Sequence, residues 1–165
     1  MAARPYSYNG QGFSIQRDKN RFVLPAAFRS TLRESSGKAV VCLARHDRWK
    51  CLVGFGWSRV DEFPDLIDKE EERAIRAGRE YDAEKRAFDL HKFHEVPFDG
   101  SGRFILPDDL VTLGKIGDQL YFQGAGQFFT AWAPGQLEEM GGGWEDAQLS
   151  CRNLAARELA KAKRK

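Results

Sequence analysis

Arg17, Lys19 and Arg21 crowd one short stretch near the start of the chain, with Asn20 between the last two. Phe22-Val23-Leu24-Pro25 follows. The stretch recurs 82 positions later as Asp99-Gly100-Ser101-Gly102-Arg103-Phe104-Ile105-Leu106-Pro107. Arg21/Arg103, Phe22/Phe104, Val23/Ile105, Leu24/Leu106 and Pro25/Pro107 agree in type without a gap. Such a repeat points to an architecture built from two related units. Cations gathered on a turn suit anion recognition: a guanidinium offers a planar fork of donors, and an ammonium offers a compact point charge.

The distribution of charge agrees. A net charge of +2 conceals 11 Lys/Arg against 3 Asp/Glu in residues 1–60, or +8. Residues 61–95 carry −5, residues 96–150 carry −6 and residues 151–165 carry +5. A basic first repeat beside an acidic second one suggests one face for a polyanion. On an ordinary helix such an excess would only solubilise the surface, but here it surrounds a turn.

Catalysis finds no footing in the same residues. The chain has no Ser-His-Asp set, glycine-rich phosphate loop or zinc signature, and Gly10, Gly12, Gly124 and Gly126 match no cofactor fingerprint. His91-x-x-His94 lacks a third metal ligand nearby. The expectation is a protein that is not an enzyme and carries no cofactor or metal. Cys42, Cys51 and Cys151 are odd in number and form no Cys-x-x-Cys pair, which reads as reduced thiols in a cytosol. With neither a leader pattern nor a membrane-length apolar run, the chain is expected to be cytoplasmic, with no membrane partner.

The elements that must position the turns follow from pattern. At 42% hydrophobic and 30% charged over 165 residues, the composition is that of a globular chain, either one domain or two small units sharing a core. Residues 1–12 lack periodicity and read as a flexible lead-in. Phe13 and Ile15 alternate with Ser14 and Gln16 as a half-buried strand. Asn20 and Gly102 hold equivalent positions, and both residue types tolerate the positive φ of a tight turn. Phe22-Val23-Leu24 is the return strand. Pro25 and Pro107 open short helices carrying Phe28 with Leu32, and Leu110 with Leu113; the helices end near Gly37 and Gly114. Asp108 and Asp109 complement the second helix's dipole.

Strand pairs come next. Residues 39–43 and 49–53 flank Arg45-His46-Asp47-Arg48, and residues 119–123 and 127–132 flank Gly124-Ala125-Gly126. Each unit is therefore strand–turn–strand–helix–strand–strand. Between the units, Ser58-Arg59-Val60-Asp61 looks like an acidic capping box. Ile67, Ala74, Ile75, Gly78, Tyr81 and Phe88 keep helical spacing and predict two helices broken near Gly78 to Asp82. Gly141-Gly142-Gly143 reads as a hinge. The stretch Trp144 to Lys165 leaves a packing helix, a disordered arm and an electrostatic tether all open. Phe13, Phe22, Phe28, Phe104, Phe122 and Phe128 are expected in the core rather than stacked on bases.

From Ser14 to Trp132 the doubled turn, followed by two apolar residues, Leu-Pro and a short helix, resembles the MraZ family. The resemblance implies an α+β fold: two β-rich AbrB-like repeats, swapped-hairpin or double-psi-like, forming a pseudo-two-fold unit with helices between and after them. The corresponding divisions are a first repeat over 1–57, a helical spacer over 58–92, a second repeat over 93–140 and a basic tail over 141–165. It further implies a nucleoid-associated regulator of transcription. Such a protein would be a ring-shaped homo-oligomer on double-stranded DNA, bound at direct repeats upstream of the division and cell-wall gene cluster.

Asp99, Gly102 and Arg103 match the family motif; in the first copy Arg17 stands where the aspartate is expected and Asn20 where the glycine is. In that pattern the aspartate orients the arginine by a charge-assisted hydrogen bond. Arg21 is then less preorganised, while Arg17 adds charge. The expected DNA contacts are Arg17, Lys19 and Arg21, with Arg29 and Arg33 as candidate phosphate ligands. For Arg103, two roles stay open: touching DNA, or pairing with Asp99 to brace a turn at a subunit contact. The alternative function is an oligomeric protein-interaction module whose DNA affinity is incidental. RNA binding lacks an aromatic-rich single-strand platform.

Overall fold

In the computed structural model, which describes residues 6–164, the repeat offset reappears as strand pairing. Strand β2 (Arg21–Val23) pairs antiparallel with β6 (Arg103–Ile105), and the register sets Phe22 opposite Phe104. Two further hydrogen bonds repeat this relation: Leu24 N–H donates to Gly102 O at 2.9 Å, and Leu106 N–H donates to Asn20 O at 2.8 Å. An approximate two-fold axis therefore runs between the two phenylalanines.

The remaining strands are β1 (Gln11–Ile15), β3 (Val40–Arg45), β4 (Leu52–Phe55), β5 (His94–Pro97), β7 (Gln119–Gly124) and β8 (Phe129–Trp132). They form one sheet in the order β1-β7-β8-β4-β3-β5, antiparallel at every pairing. Exchanging the halves turns this order into its own reverse. The first strand of each half pairs with the other half's strand, β1 on β7 and β5 on β3. Neither half completes a sheet alone. The fold is α+β.

Helices cover both faces of the sheet. Helix α1 (Ala26–Ser36) starts after Pro25 at φ −53° and stops at Gly37 in the left-handed region, φ 73°. It buries Phe28 and Leu32. Helices α2 (Trp57–Val60), α3 (Phe63–Arg76) and α4 (Ala83–Leu90) make the spacer, α5 (Asp108–Leu113) follows β6, and α6 (Pro134–Glu138) and α7 (Glu145–Lys163) close the chain. Asp82 caps α4 by accepting from Lys85 N–H at 3.1 Å. No helix among the described residues is long and apolar enough to cross a membrane.

Period-two alternation sends neighbouring strand residues to opposite faces. Leu120 and Phe122 join Phe22, Leu24, Phe28, Phe104 and Leu106 in the main core. Tyr121 joins Cys51, Trp132, Leu137 and Cys151 beneath α6 and α7. Cys42 and Phe55 pack with Val60 and Phe63 of the spacer. Each fully buried aromatic or aliphatic side chain contributes about 1.5–3 kcal/mol. Phe22, Phe28, Phe104 and Phe122 are buried as expected, while Phe13 and Phe128 are half-buried at the margins.

Several expectations need correcting. The lead-in is ordered where it is described: Tyr8 is buried and its N–H donates to Gly126 O at 2.7 Å. A Cβ on Gly124 would collide with the Tyr8 backbone. Residues 1–5 of that lead-in, and Lys165 of the tail, lie outside the described residues. Ser14 rather than Phe13 faces the core, because Phe13 packs under α7 on the opposite face. Ser58 sits inside α2 and meets the Ser35 hydroxyl, so the capping box does not form. Leu113, Ile75 and Phe88 are exposed, and Val111, Ile116, Phe63 and Leu66 face inward instead, while Ala74 is buried as expected. Trp49 to Cys51 belong to the loop before β4. His91 follows the end of α4 and His94 opens β5, so the His91-x-x-His94 spacing spans a helix end and a strand. The tail is a helix that packs: Cys151 is buried, with Ala147 and Leu154 beside it.

The β3–β4 loop is organised by a buried histidine. His46 Nδ1 accepts the N–H groups of Arg48 and Trp49, both at 3.0 Å, and the ring stacks on Trp49 at 4.3 Å. Burial lowers its pKa, opposed by Asp47 and aided by Arg48. A proton on Nδ1 would cost both accepted bonds. The folded state therefore favours neutral His46, and stability is full above about pH 6.5 and declines as pH falls below that value. His46→Asn is expected to flatten the slope of melting temperature between pH 7 and 5; an unchanged slope would remove His46 from this role.

Candidate nucleic-acid interface

Both turns close with the same outer backbone bond, while the inner one runs from Arg21 N–H to Asp18 O in the first and from Gly102 N–H to Asp99 O in the second. Arg17 N–H donates to Arg21 O at 3.1 Å, and Asp99 N–H donates to Arg103 O at 3.0 Å, the same bond 82 positions on. Asn20 takes φ 61° and Gly102 takes φ 85°. The first turn fills its gaps with side chains. Gln16 Oε1 accepts Asn20 N–H at 2.7 Å, and Ser14 Oγ accepts Val23 N–H at 2.9 Å.

Arg103 is held from one side. Asp99 Oδ1 accepts the N–H groups of Ser101 and Arg103, both at 2.9 Å, and Oδ2 accepts Arg103 Nε at 2.6 Å. These contacts, the Arg103 N–H first, hold the Asp99 carboxyl below the usual carboxylate range. The pairing survives down through mild acid and is lost only as pH falls through that lowered value. Asp99→Asn keeps one acceptor but loses the ion pair. Its expected signature is faster amide exchange at Ser101 and Arg103 with little change in melting temperature, because solvent screens an exposed pair. Unchanged exchange would mean that the aspartate does not order the turn.

Arg21 has an aspartate too, displaced by one residue: Asp18 Oδ2 lies 3.6 Å from Arg21 Nη1. That is a longer tether than Asp99 supplies. Finding this partner in the sequence takes a one-residue slip of the motif, which shortens the turn and which the unbroken 82-residue offset argues against.

The ribbon brings the two arginines together. Phe22 and Phe104 point into the core, so the alternating residues Arg21, Val23, Arg103 and Ile105 share the outer face. Arg21 stands opposite Ile105, and Val23 opposite Arg103. Ile105 is 56% exposed. Arg17 and Lys19 are exposed at one end of this face. At each end a turn leans on the other half: Asn20 Nδ2 donates to Asp108 Oδ1 at 2.9 Å, while Gly102 sits against the Arg29 side chain.

Arg29 Nε also donates to Leu24 O at 3.0 Å, so this arginine braces the second turn. Any Cβ at position 102 would strike it. Arg33 lies over the Phe98 ring, 5.4 Å from its centroid. Among the described residues, no group of three or more His, Cys, Asp and Glu is placed to hold a metal ion.

Comparison with known proteins bears on this surface. A transcriptional regulator MraZ from Rhodospirillum rubrum is 33% identical over 126 residues, covering 73% of this chain and 75% of the relative. The chain belongs to the MraZ family. A second MraZ, from Parvibaculum lavamentivorans, is 29% identical over 133 residues, covering 78% and 77% of the two chains. A third, from Rickettsia bellii, is 28% identical over 124 residues, covering 73% and 77%. No protein-family model matches the chain. MraZ membership supports a role in regulating transcription, and the names of these relatives describe regulators, not enzymes.

Proposed function

We propose that the chain is a sequence-specific DNA-binding transcriptional regulator of the MraZ type, built from two AbrB-like swapped-hairpin repeats. The repeats span 1–57 and 93–140, separated by the helical spacer 58–92 and followed by the basic tail 141–165. The observation that carries this reading is the placement of Arg21 and Arg103 on one exposed face of a two-stranded ribbon. A two-stranded ribbon is among the few elements the major groove admits, and arginine there pairs with guanine O6 and N7. Arg17 and Lys19 are positioned for flanking phosphates, with salt-dependent affinity. Arg29 and Arg33 stand further along α1 and contribute phosphate contacts through the N–H groups left over from their internal contacts.

One ribbon touches too few base pairs for specificity. A ring of identical copies would present several, and effective concentration would convert weak single contacts into tight binding at repeated sites. In this proposal such a ring occupies direct repeats upstream of the division and cell-wall cluster, in the cytoplasm and on the nucleoid, without a cofactor.

Footprinting on the DNA upstream of the chain's own coding sequence tests the proposal. Protected intervals at regular spacing, lost steeply between 50 and 200 mM salt, are expected. Uniform weak protection would favour an assembly module instead. That second reading has its own support in Ile75 and Phe88, 70% and 61% exposed on the acidic spacer, and predicts a protein partner in pull-downs.

A further inference from the structure

The ribbon's outer face is not uniformly polar. Between the two arginines stand Val23 and Ile105, and Ile105 is more than half exposed although it closes β6 directly opposite Arg21. Burying its chain neighbour Phe104 does not require an isoleucine on the opposite face; a polar residue at position 105 would satisfy the same backbone. We infer that Ile105 reads thymine, by packing its side chain against the 5-methyl group in the major groove beside the base pair that Arg21 contacts.

The geometry suits this assignment. Arg21 and Ile105 are a directly opposed antiparallel pair, with Cα atoms roughly 4.5–5.5 Å apart. Successive bases rise about 3.4 Å along one strand. An arginine long enough to reach a guanine edge therefore places the shorter Ile105 over a neighbouring base pair. Thymine is the base that presents a methyl there, and aliphatic side chains are its natural contact. Duplex DNA is the occupant the charges favour: Arg17, Lys19, Arg21, Arg29 and Arg103 surround the apolar pair, against Asp18, Asp99 and Asp108. The pseudo-two-fold relation gives Val23 the same place beside Arg103, with a smaller and less exposed side chain.

This inference rests on the DNA-binding reading, and one experiment separates them. The upstream fragment is prepared in two forms, with thymine and with deoxyuridine throughout, which removes only the methyl groups. Wild type, Ile105→Val and Ile105→Ser are titrated against each by fluorescence anisotropy with nonspecific competitor, and oligomer size is measured for all three. Wild type and Ile105→Val are expected to prefer the thymine form by about three- to fivefold per contacted methyl, the value of burying one such group. Ile105→Ser is expected to bind both forms alike while keeping its oligomer. Equal wild-type affinity for the two fragments, or a full thymine preference in Ile105→Ser, overturns the inference alone. A smaller oligomer in Ile105→Ser with the preference intact also overturns it, since a second copy would then cover this face. Absence of specific binding to either fragment overturns the DNA-binding reading as well.

Discussion

Arg21→Ala is expected to remove specific binding to the upstream DNA while the fold and the oligomer persist. The arginine sits on an outer face with its side chain 41% exposed, and its ion pair with Asp18 spans 3.6 Å. An exposed pair of that kind contributes about 0–1 kcal/mol to folding. A bidentate guanine contact is worth about 1–3 kcal/mol, or about 5- to 150-fold in affinity. When two copies engage two repeats the losses multiply, so the variant should keep only a shallow, sequence-blind affinity. Anisotropy titrations at two salt concentrations would measure this, with gel filtration to confirm size. Affinity within twofold of wild type at both salts would exclude Arg21 as a base-reading residue. Arg103→Ala belongs in the same experiment, because a comparable loss would establish that both repeats read DNA.

Phe22→Ala is expected to be the most damaging single core change, at about 3–5 kcal/mol. Phe22 is fully buried, faces Phe104 at 6.4 Å between ring centroids and lies at the centre of a core to which both halves contribute. For a chain of this length the loss corresponds to a fall of about 6–20 °C in melting temperature. One cooperative transition should fall as a whole, since β1 needs β7 and β5 needs β3. A biphasic melt, with the second half still folded after the first has gone, would contradict the interleaved architecture. Calorimetry of wild type and variant decides between the two.

The order of residues was enough to recognise two copies of one unit. An offset of 82 with matched Arg, Phe and Pro and the exchange of Asn20 for Gly102 are local signals, and the structure repeats that offset in φ and in backbone hydrogen bonds. Strand and helix positions were legible for the same reason, since period and turn chemistry act over a few residues. Local pattern failed where the two faces of the sheet compete. Ser14 and Phe13 alternate correctly, but only packing under α7 says which of them meets the main core. Leu113, Ile75 and Phe88 fit helical stripes that the fold leaves outside.

The candidate site divides along the same line. Arg17, Lys19 and Arg21 were visible as a charge cluster on a turn, and Asp99 with Arg103 as a motif. Sequence leaves two roles open for Arg103, in a segment whose net charge is acidic; antiparallel pairing across the pseudo-two-fold axis sets it on the same face as Arg21 regardless of its sequence neighbours. Arg29 as the brace behind Gly102 and Ile105 as an exposed apolar residue likewise come from contacts between distant segments, while the pairing of Asp18 with Arg21 is set by the local path of the turn. Repeat, turn and charge are properties of short stretches and can be read in order. Which residues of two stretches share a surface depends on strand register and on which face the core takes, and only the folded chain decides that.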